Sequence, residues 1–389
     1  MNPRANPFAP GAGTPPPELA GRDAVIERAA IALDRIRNRR AARSLILYGL
    51  RGVGKTVLLN TIKRDAEHNG IAIVTIEAPE GRSLPGMLVP SLRATLLKLD
   101  RLQAAGAGAK RALRALAGFA KLKVNYADVE VAIDLEPESG LADSGDLDAD
   151  LAELLEAVGQ AAQERGTAIV LFIDELQYVE EVQLASLISA LHGAAQKQLP
   201  VTLVGAGLPQ LLGQMGRAKS YAERLFEFTP IDRLDPAATR DAIRKPIERE
   251  GAEITDEAIA EIAIQTRGYP YFLQEWGKHS WDMADASPID RDDAEHATAA
   301  ALAELDASFF RVRFDRLTPS EKRYIGAMAD LGEGPHRSGD IAAALGMTVS
   351  SVAPVRNSLI AKGMLYSPAY GDTGFTVPLF DQFIRRVMI

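Results

Sequence analysis

Between Ser44 and Leu59 the chain reads SLILYGLRGVGKTVLL, and no other stretch restricts the possible fold as much. The apolar run Leu45, Ile46, Leu47 and Tyr48 predicts a buried strand. It passes into the glycine-rich GLRGVGKT and then into a helix-forming segment, the context in which a GxxxxGK[ST] pattern becomes a phosphate-binding loop. Gly49, Gly52 and Gly54 let the backbone approach phosphate oxygens and turn successive N–H groups inward, and the positive end of the following helix favours an anion. Leu50, Arg51, Val53 and Val57 complete the cradle. Lys55 is placed to reach the β- and γ-phosphates, and the Thr56 hydroxyl to help hold Mg²⁺.

At 389 residues the chain is too long for one ordinary core, and roughly 100–200 residues per domain implies two or three. It contains no cysteine, which excludes disulfides and thiolate metal sites and favours a reducing compartment. No apolar run approaches the ~18 residues that span a membrane. Residues 1–17, rich in Pro and Gly without a hydrophobic stretch, predict a disordered arm and not a signal peptide. A cytoplasmic location is expected. The net charge of −8 argues against a generally basic nucleic-acid binder. From Arg316 onward eight basic residues face six acids, a net of +2, which alone does not support DNA binding.

After the arm, PPELAGRD turns into an amphipathic helix carrying Val25, Ile26, Ala29, Ile31, Leu33 and Ile36. The Gly21-Arg22-Asp23 corner has two readings, a fold over a nucleotide base or a plain helix N-cap at Asp23. Ile71 to Ala78 predicts a second buried parallel strand. An insertion at about 82–146 follows, with helices expected over 84–103 and 107–121 and a strand or hairpin from Val124 to Glu136. The next strand, Ile169 to Ile173, ends in Asp174-Glu175. A buried strand presenting an acid at its carboxyl end is what the second half of a phosphate-loop site needs: Asp174 to hold Mg²⁺ and Glu175 to orient and polarise the attacking water. His192 falls among apolar neighbours and reads as structural. Val201 to Val204 and Phe226 to Phe228 bring the expected parallel strands to five.

From Asp235 the pattern changes to short helices, predicting a helical subdomain over 235–315. From about 316 to the end, a helix, a helix-turn-helix and a hairpin tipped by Gly371-Asp372 give the winged-helix order. Its third helix would carry Ser350, Ser351, Arg356 and Asn357 on the polar side, with Pro354 limiting where that helix starts.

Taken together, GLRGVGKT, IVLFIDE, the helical lid and the C-terminal winged helix resemble AAA+ ATPases of the initiator and origin-recognition type. They look closer still to the prokaryotic ATPases that bridge that group and the STAND signalling NTPases. PELAGRD resembles the adenine-side entry motif of that group, which makes Arg22 a nucleotide contact, and Gly268 to Pro270 resembles its GxP lid motif, which does the same for Pro270. The resemblance implies an α/β P-loop core over 18–234, a lid, a winged helix and ATP with Mg²⁺ as ligands. It also implies a homo-oligomer in the ATP state, completed by an arginine from the neighbouring subunit, for which Arg224 and then Arg217 are the candidates. Two departures matter. Gly205-Ala206-Gly207 stands where a polar sensor residue usually follows the acidic strand, and Tyr271 stands where initiator-type members carry a sensor arginine. Both suit a slow switch better than a fast motor.

Two functions follow. One is an ATP-hydrolysing switch whose winged helix, over 338–377, contacts DNA or a partner according to nucleotide state. The other is a signalling or scaffold ATPase whose winged helix is a protein-interaction module that never touches DNA, which the acidic total favours. A small-molecule kinase would need an acceptor pocket that no segment supplies.

Overall fold

The computed structural model describes residues 1–11, 13–101, 107–123 and 136–388. Five strands, β1 (Ser44–Tyr48), β2 (Ala72–Glu77), β3 (Ile169–Asp174), β4 (Val201–Gly207) and β5 (Phe226–Pro230), form one parallel sheet in the order β2-β3-β4-β1-β5. The α/β core expected from the apolar runs is therefore present, with β1 inserted between β4 and β5.

Alternation along the central strands divides the sheet's two faces. Leu45 and Leu47 of β1, with Val170 and Phe172 of β3, pack on α1 (Asp23–Arg37) and α2 (Lys55–His68). Ile46, Leu171 and Ile173 face the opposite core, built with α3 (Leu84–Arg101), α4 (Ala107–Lys123), α5 (Leu147–Glu164) and α6 (Glu181–Gln196). The helices of the insertion are thus integral to the layer: Leu88, Leu92, Leu96, Leu116 and Phe119 are fully buried in it. The strand or hairpin expected from Val124 lies outside the described residues over 124–135. The His192 ring packs against that of Tyr221, centroids 4.6 Å apart and tilted by 37°, in keeping with a structural role.

Beyond β4, α7 (Leu211–Ala218) and α8 (Ala222–Leu225) lead to β5, and α9 (Pro236–Arg249), α10 (Asp256–Thr266), α11 (Pro270–Met283) and α12 (Arg291–Leu305) form the lid. A π-helical turn, Asp306–Phe310, then passes into α13 (Arg311–Asp315). The terminal segment has α14 (Pro319–Asp330), β6 (His336–Arg337), α15 (Ser338–Ala344), α16 (Val349–Ala361), β7 (Leu365–Tyr366) and β8 (Asp372–Phe375), the last two forming the hairpin of a winged helix. No helix among the described residues is long and apolar enough to cross a membrane.

Three details depart from the sequence reading. The arm is seated on the lid: Phe8 is buried over Gly277, Asn6 donates to the Lys278 carbonyl at 2.9 Å, and the Trp281 indole donates to the Asn2 carbonyl at 2.8 Å. One aromatic anchor and these hydrogen bonds offset the disorder that Pro and Gly favour. Pro354 lies inside α16, which begins earlier, where Thr348 caps it by accepting from the Ser351 amide. Finally, a helix not foreseen, α17 (Phe380–Val387), inserts Phe380 and Phe383 among Phe310 and Phe314, so lid and winged helix share one apolar core.

Candidate functional site

The glycine-rich loop hangs between the end of β1 and the start of α2, and its three glycines serve different ends. Gly52 and Gly54 have φ of +81° and +88°, a left-handed backbone in which side chains are strained, and the space beside Gly54 is open. These two shape the cradle. Gly49 has a different reason: a Cβ there would lie 1.9 Å from the Ile231 carbonyl oxygen at the end of β5. Packing alone therefore requires glycine at this position.

Lys55 is buried at the first position of α2, and its ammonium donates to the Gly49 and Leu50 carbonyls at 3.0 and 2.8 Å. Burial lowers its pKa to about 8, against the opposing pull of Glu175 and Asp174. A phosphate needs the protonated form. Nucleotide affinity should therefore be level below pH 8 and fall about tenfold per pH unit above it, because binding must then recover a proton. Fluorescent-ADP titrations between pH 6.5 and 9.5 would check this.

The acids occupy the expected place at the end of β3. Thr56 Oγ1 donates to Asp174 Oδ2 at 2.6 Å, so the two groups expected to share Mg²⁺ already meet. Burial raises the Asp174 pKa. Glu175 sits at φ +52°, a conformation a glutamate adopts at a cost of order 1 kcal/mol or more, and such strain clusters at functional sites. The buried Gln177 donates to the Glu175 carboxylate, while its own Oε1 accepts the Leu208 amide at 3.0 Å. That Gln177 oxygen explains Gly207, since a Cβ there would approach it to 2.7 Å. A side chain at Gly207 would also crowd Leu211, at 2.8 Å.

A cavity of about 340 Å³ runs from this loop to the lid, lined by Arg22, Gly52 to Val57, Glu175 and Pro270, and also by Thr14 and Pro16 of the arm. It fits a nucleotide: an open glycine cradle, a buried lysine and a Thr–Asp pair stand at one end. Arg22 occupies the N-cap position of α1 with its side chain donating to the Val53 and Asp232 carbonyls. The Tyr271 amide donates to the Gly52 carbonyl at 3.0 Å, joining lid to loop directly.

Arg313 was not foreseen, and Arg51, expected in the cradle, has partners that were not. Arg313 reaches the cavity because the π-helical turn re-aims α13, and its guanidinium lies 3.9 Å over the Phe309 ring, itself stacked on Tyr271. Burial, with Arg51 nearby, lowers its pKa to about 10. Nothing local marks it, since its position depends on the helix break. Arg51 lies in the motif itself, yet its partners lie far along the chain: its amide donates to the Thr376 carbonyl at 2.9 Å, its Nη2 to the Tyr178 hydroxyl at 2.9 Å, its Nε reaches the Gly363 carbonyl at 3.5 Å and its Nη1 is 3.7 Å from Glu175. Neither Arg217, paired with Glu181 at 3.0 Å, nor the exposed Arg224 lines the cavity of its own chain.

Comparison with known proteins agrees with this geometry. Residues 18–204 match the model of the AAA ATPase domain, and residues 307–384 match a domain of unknown function (DUF8462). No curated protein matches. Among solved structures, the Walker-type ATPase PABY2304 of Pyrococcus abyssi is similar over 94% of this chain and 96% of its own, at 16% identity and a TM-score of 0.57. Fainter likenesses, at TM-scores of 0.44 and 0.47, run to the Thermotoga maritima RuvB Holliday junction branch migration motor and to the Aeropyrum pernix Orc1 protein in complex with DNA. The first is 18% identical over 94% of this chain and 95% of its own; the second is 14% identical over 95% and 94%. Residues 18–204 are an AAA ATPase domain.

Proposed function

We propose that the protein is a slow ATP-hydrolysing switch that passes the state of its γ-phosphate site to the winged helix, and through it to DNA or a protein partner. Thr56 and Asp174 would hold Mg²⁺, which neutralises phosphate charge when bound. Glu175 orients the attacking water, and Lys55 holds the terminal phosphates.

The observation that carries the reading is Arg51. One residue of the phosphate loop touches the catalytic glutamate on one side and the turn and strand end of the winged helix, at Gly363 and Thr376, on the other. Contact is close: a Cβ on Gly363 would lie 2.7 Å from the Tyr178 hydroxyl and 2.8 Å from Arg51. A change in loop or glutamate on nucleotide binding therefore has a short polar path to the winged helix. Hydrogen exchange over 363–376 should differ between ADP and a non-hydrolysable ATP analogue. In Arg51→Ala, compared at saturating nucleotide, that difference should be lost. Identical exchange in both nucleotides for the wild type would defeat the reading.

Arg356 favours the protein-interaction version. Expected on the reading face of α16, its guanidinium is bound to the Thr373 and Ser367 hydroxyls at 2.7 and 2.8 Å and so ties α16 to the wing. Because lid and winged helix share a core, duplex DNA should be titrated against the whole chain at low and high salt; absence of binding at low salt would leave a protein partner. Arg224 and Arg217 are proposed to act across a subunit boundary in an ATP-state oligomer. Solution mass with ADP against the analogue tests that.

A further inference from the structure

We propose that Glu275 and His279 of α11, with Glu304 of α12, form a binding site for one divalent transition-metal ion, zinc being the ion of choice, that clamps these two lid helices together. The site is separate from the nucleotide centre and does not depend on the ATPase reading.

Glu275 and His279 are four residues apart and so project from one face of α11, and Glu304 faces them across the helix pair. Ligand atoms from all three lie within 4.8 Å of one another. Buried polar groups are ordinarily satisfied, and exceptions call for a reason. Here Glu275 is 4% exposed, and while its carboxyl also meets the Tyr271 hydroxyl, its Oε2 is buried and without a hydrogen-bond partner. His279 Nε2 lies 3.0 Å from Glu304 Oε2, a pairing that a bound ion would replace. An imidazole nitrogen and two carboxylates, with no sulfur, make a donor set that zinc accepts at about 2.0–2.2 Å each, leaving a fourth position for water.

A tetrahedral ion needs donors about 3.4 Å apart, so the His279–Glu304 pair, at 3.0 Å, must open slightly and wider separations in the triad must close. Glu304 can supply the movement, being the exposed member at the outer edge. The Lys278 ammonium, 3.1 and 3.2 Å from the two Glu304 oxygens, neutralises that carboxylate in the absence of metal, and the ion would displace it from one oxygen. The site also sits behind Tyr271, one helical turn before Glu275 on α11, whose amide bonds the phosphate loop.

The test uses the whole chain, stripped with chelator and free of nucleotide. Calorimetry with zinc chloride should show one equivalent bound in the wild type and in Asp174→Asn, which removes the competing acid of the nucleotide site. Cobalt in place of zinc should give visible absorption bands from nitrogen and oxygen ligation. Glu304→Ala lies at the surface and should fold normally, yet lower zinc affinity at least about 100-fold, since loss of a ligand exceeds the 10–100-fold that outer-shell changes cost. His279→Ala should do the same, and His296→Ala should not. No binding by the wild type, or undiminished binding by Glu304→Ala, would overturn the proposal.

Discussion

Lys55→Ala is expected to weaken ADP and ATP binding by more than 100-fold. In the free protein the ammonium is buried and spends its hydrogen bonds on the Gly49 and Leu50 carbonyls. Turned to a nucleotide, the same group makes charge-assisted bonds to phosphate worth roughly 1.5–3 kcal/mol each, and two such bonds correspond to a factor above ~100. Removing it also leaves two loop carbonyls without their donor, so the melting temperature should be followed alongside. Equilibrium titration with a fluorescent nucleotide reads the effect. A loss below tenfold would mean that the cradle amides and the lid dominate binding.

Glu175→Gln should separate binding from turnover. The substitution keeps the shape and removes the charge, and positioned general bases typically contribute 10²–10⁴-fold. The variant should bind ATP with near wild-type affinity and hydrolyse it at least ~100-fold more slowly. Phosphate-release assays with saturating ATP and Mg²⁺ would measure it, and a wild-type rate would remove Glu175 from the mechanism. The surroundings sharpen the expectation: Gln177 and Arg51 both hold the carboxylate, and the backbone at Glu175 is left-handed. A group so fixed has been given one orientation at a conformational cost.

Much of this was readable in the chain. The apolar runs ending at Tyr48 and Asp174 declared themselves because a parallel strand covered on both faces must be continuously apolar, and the phosphate loop declared itself because its chemistry is local in sequence. The Thr56–Asp174 contact followed from the two motifs together. The features that the reading missed depend on residues brought together from distant parts of the chain. At Gly49 the Ile231 carbonyl just beyond β5 adds a packing requirement that the motif does not reveal. Arg356 looked free to read a partner and is tied to the wing. Phe8 looked like part of a disordered arm and finds a groove over Gly277 that exists only once α11 has folded.

The sequence by itself determined the α/β class, the nucleotide loop, the acid pair and the helix-rich C-terminal half, because each is written in periodicity or in a contiguous motif. Tertiary structure alone decided that lid and winged helix share a core, that Arg313 reaches the cavity through a π-helical turn, and that Arg51 joins the phosphate loop to the winged helix. The last of these rests on a contact between residues hundreds of positions apart, Arg51 and Thr376. Local propensity carries no record of such pairings; they are set by which apolar faces can be buried together.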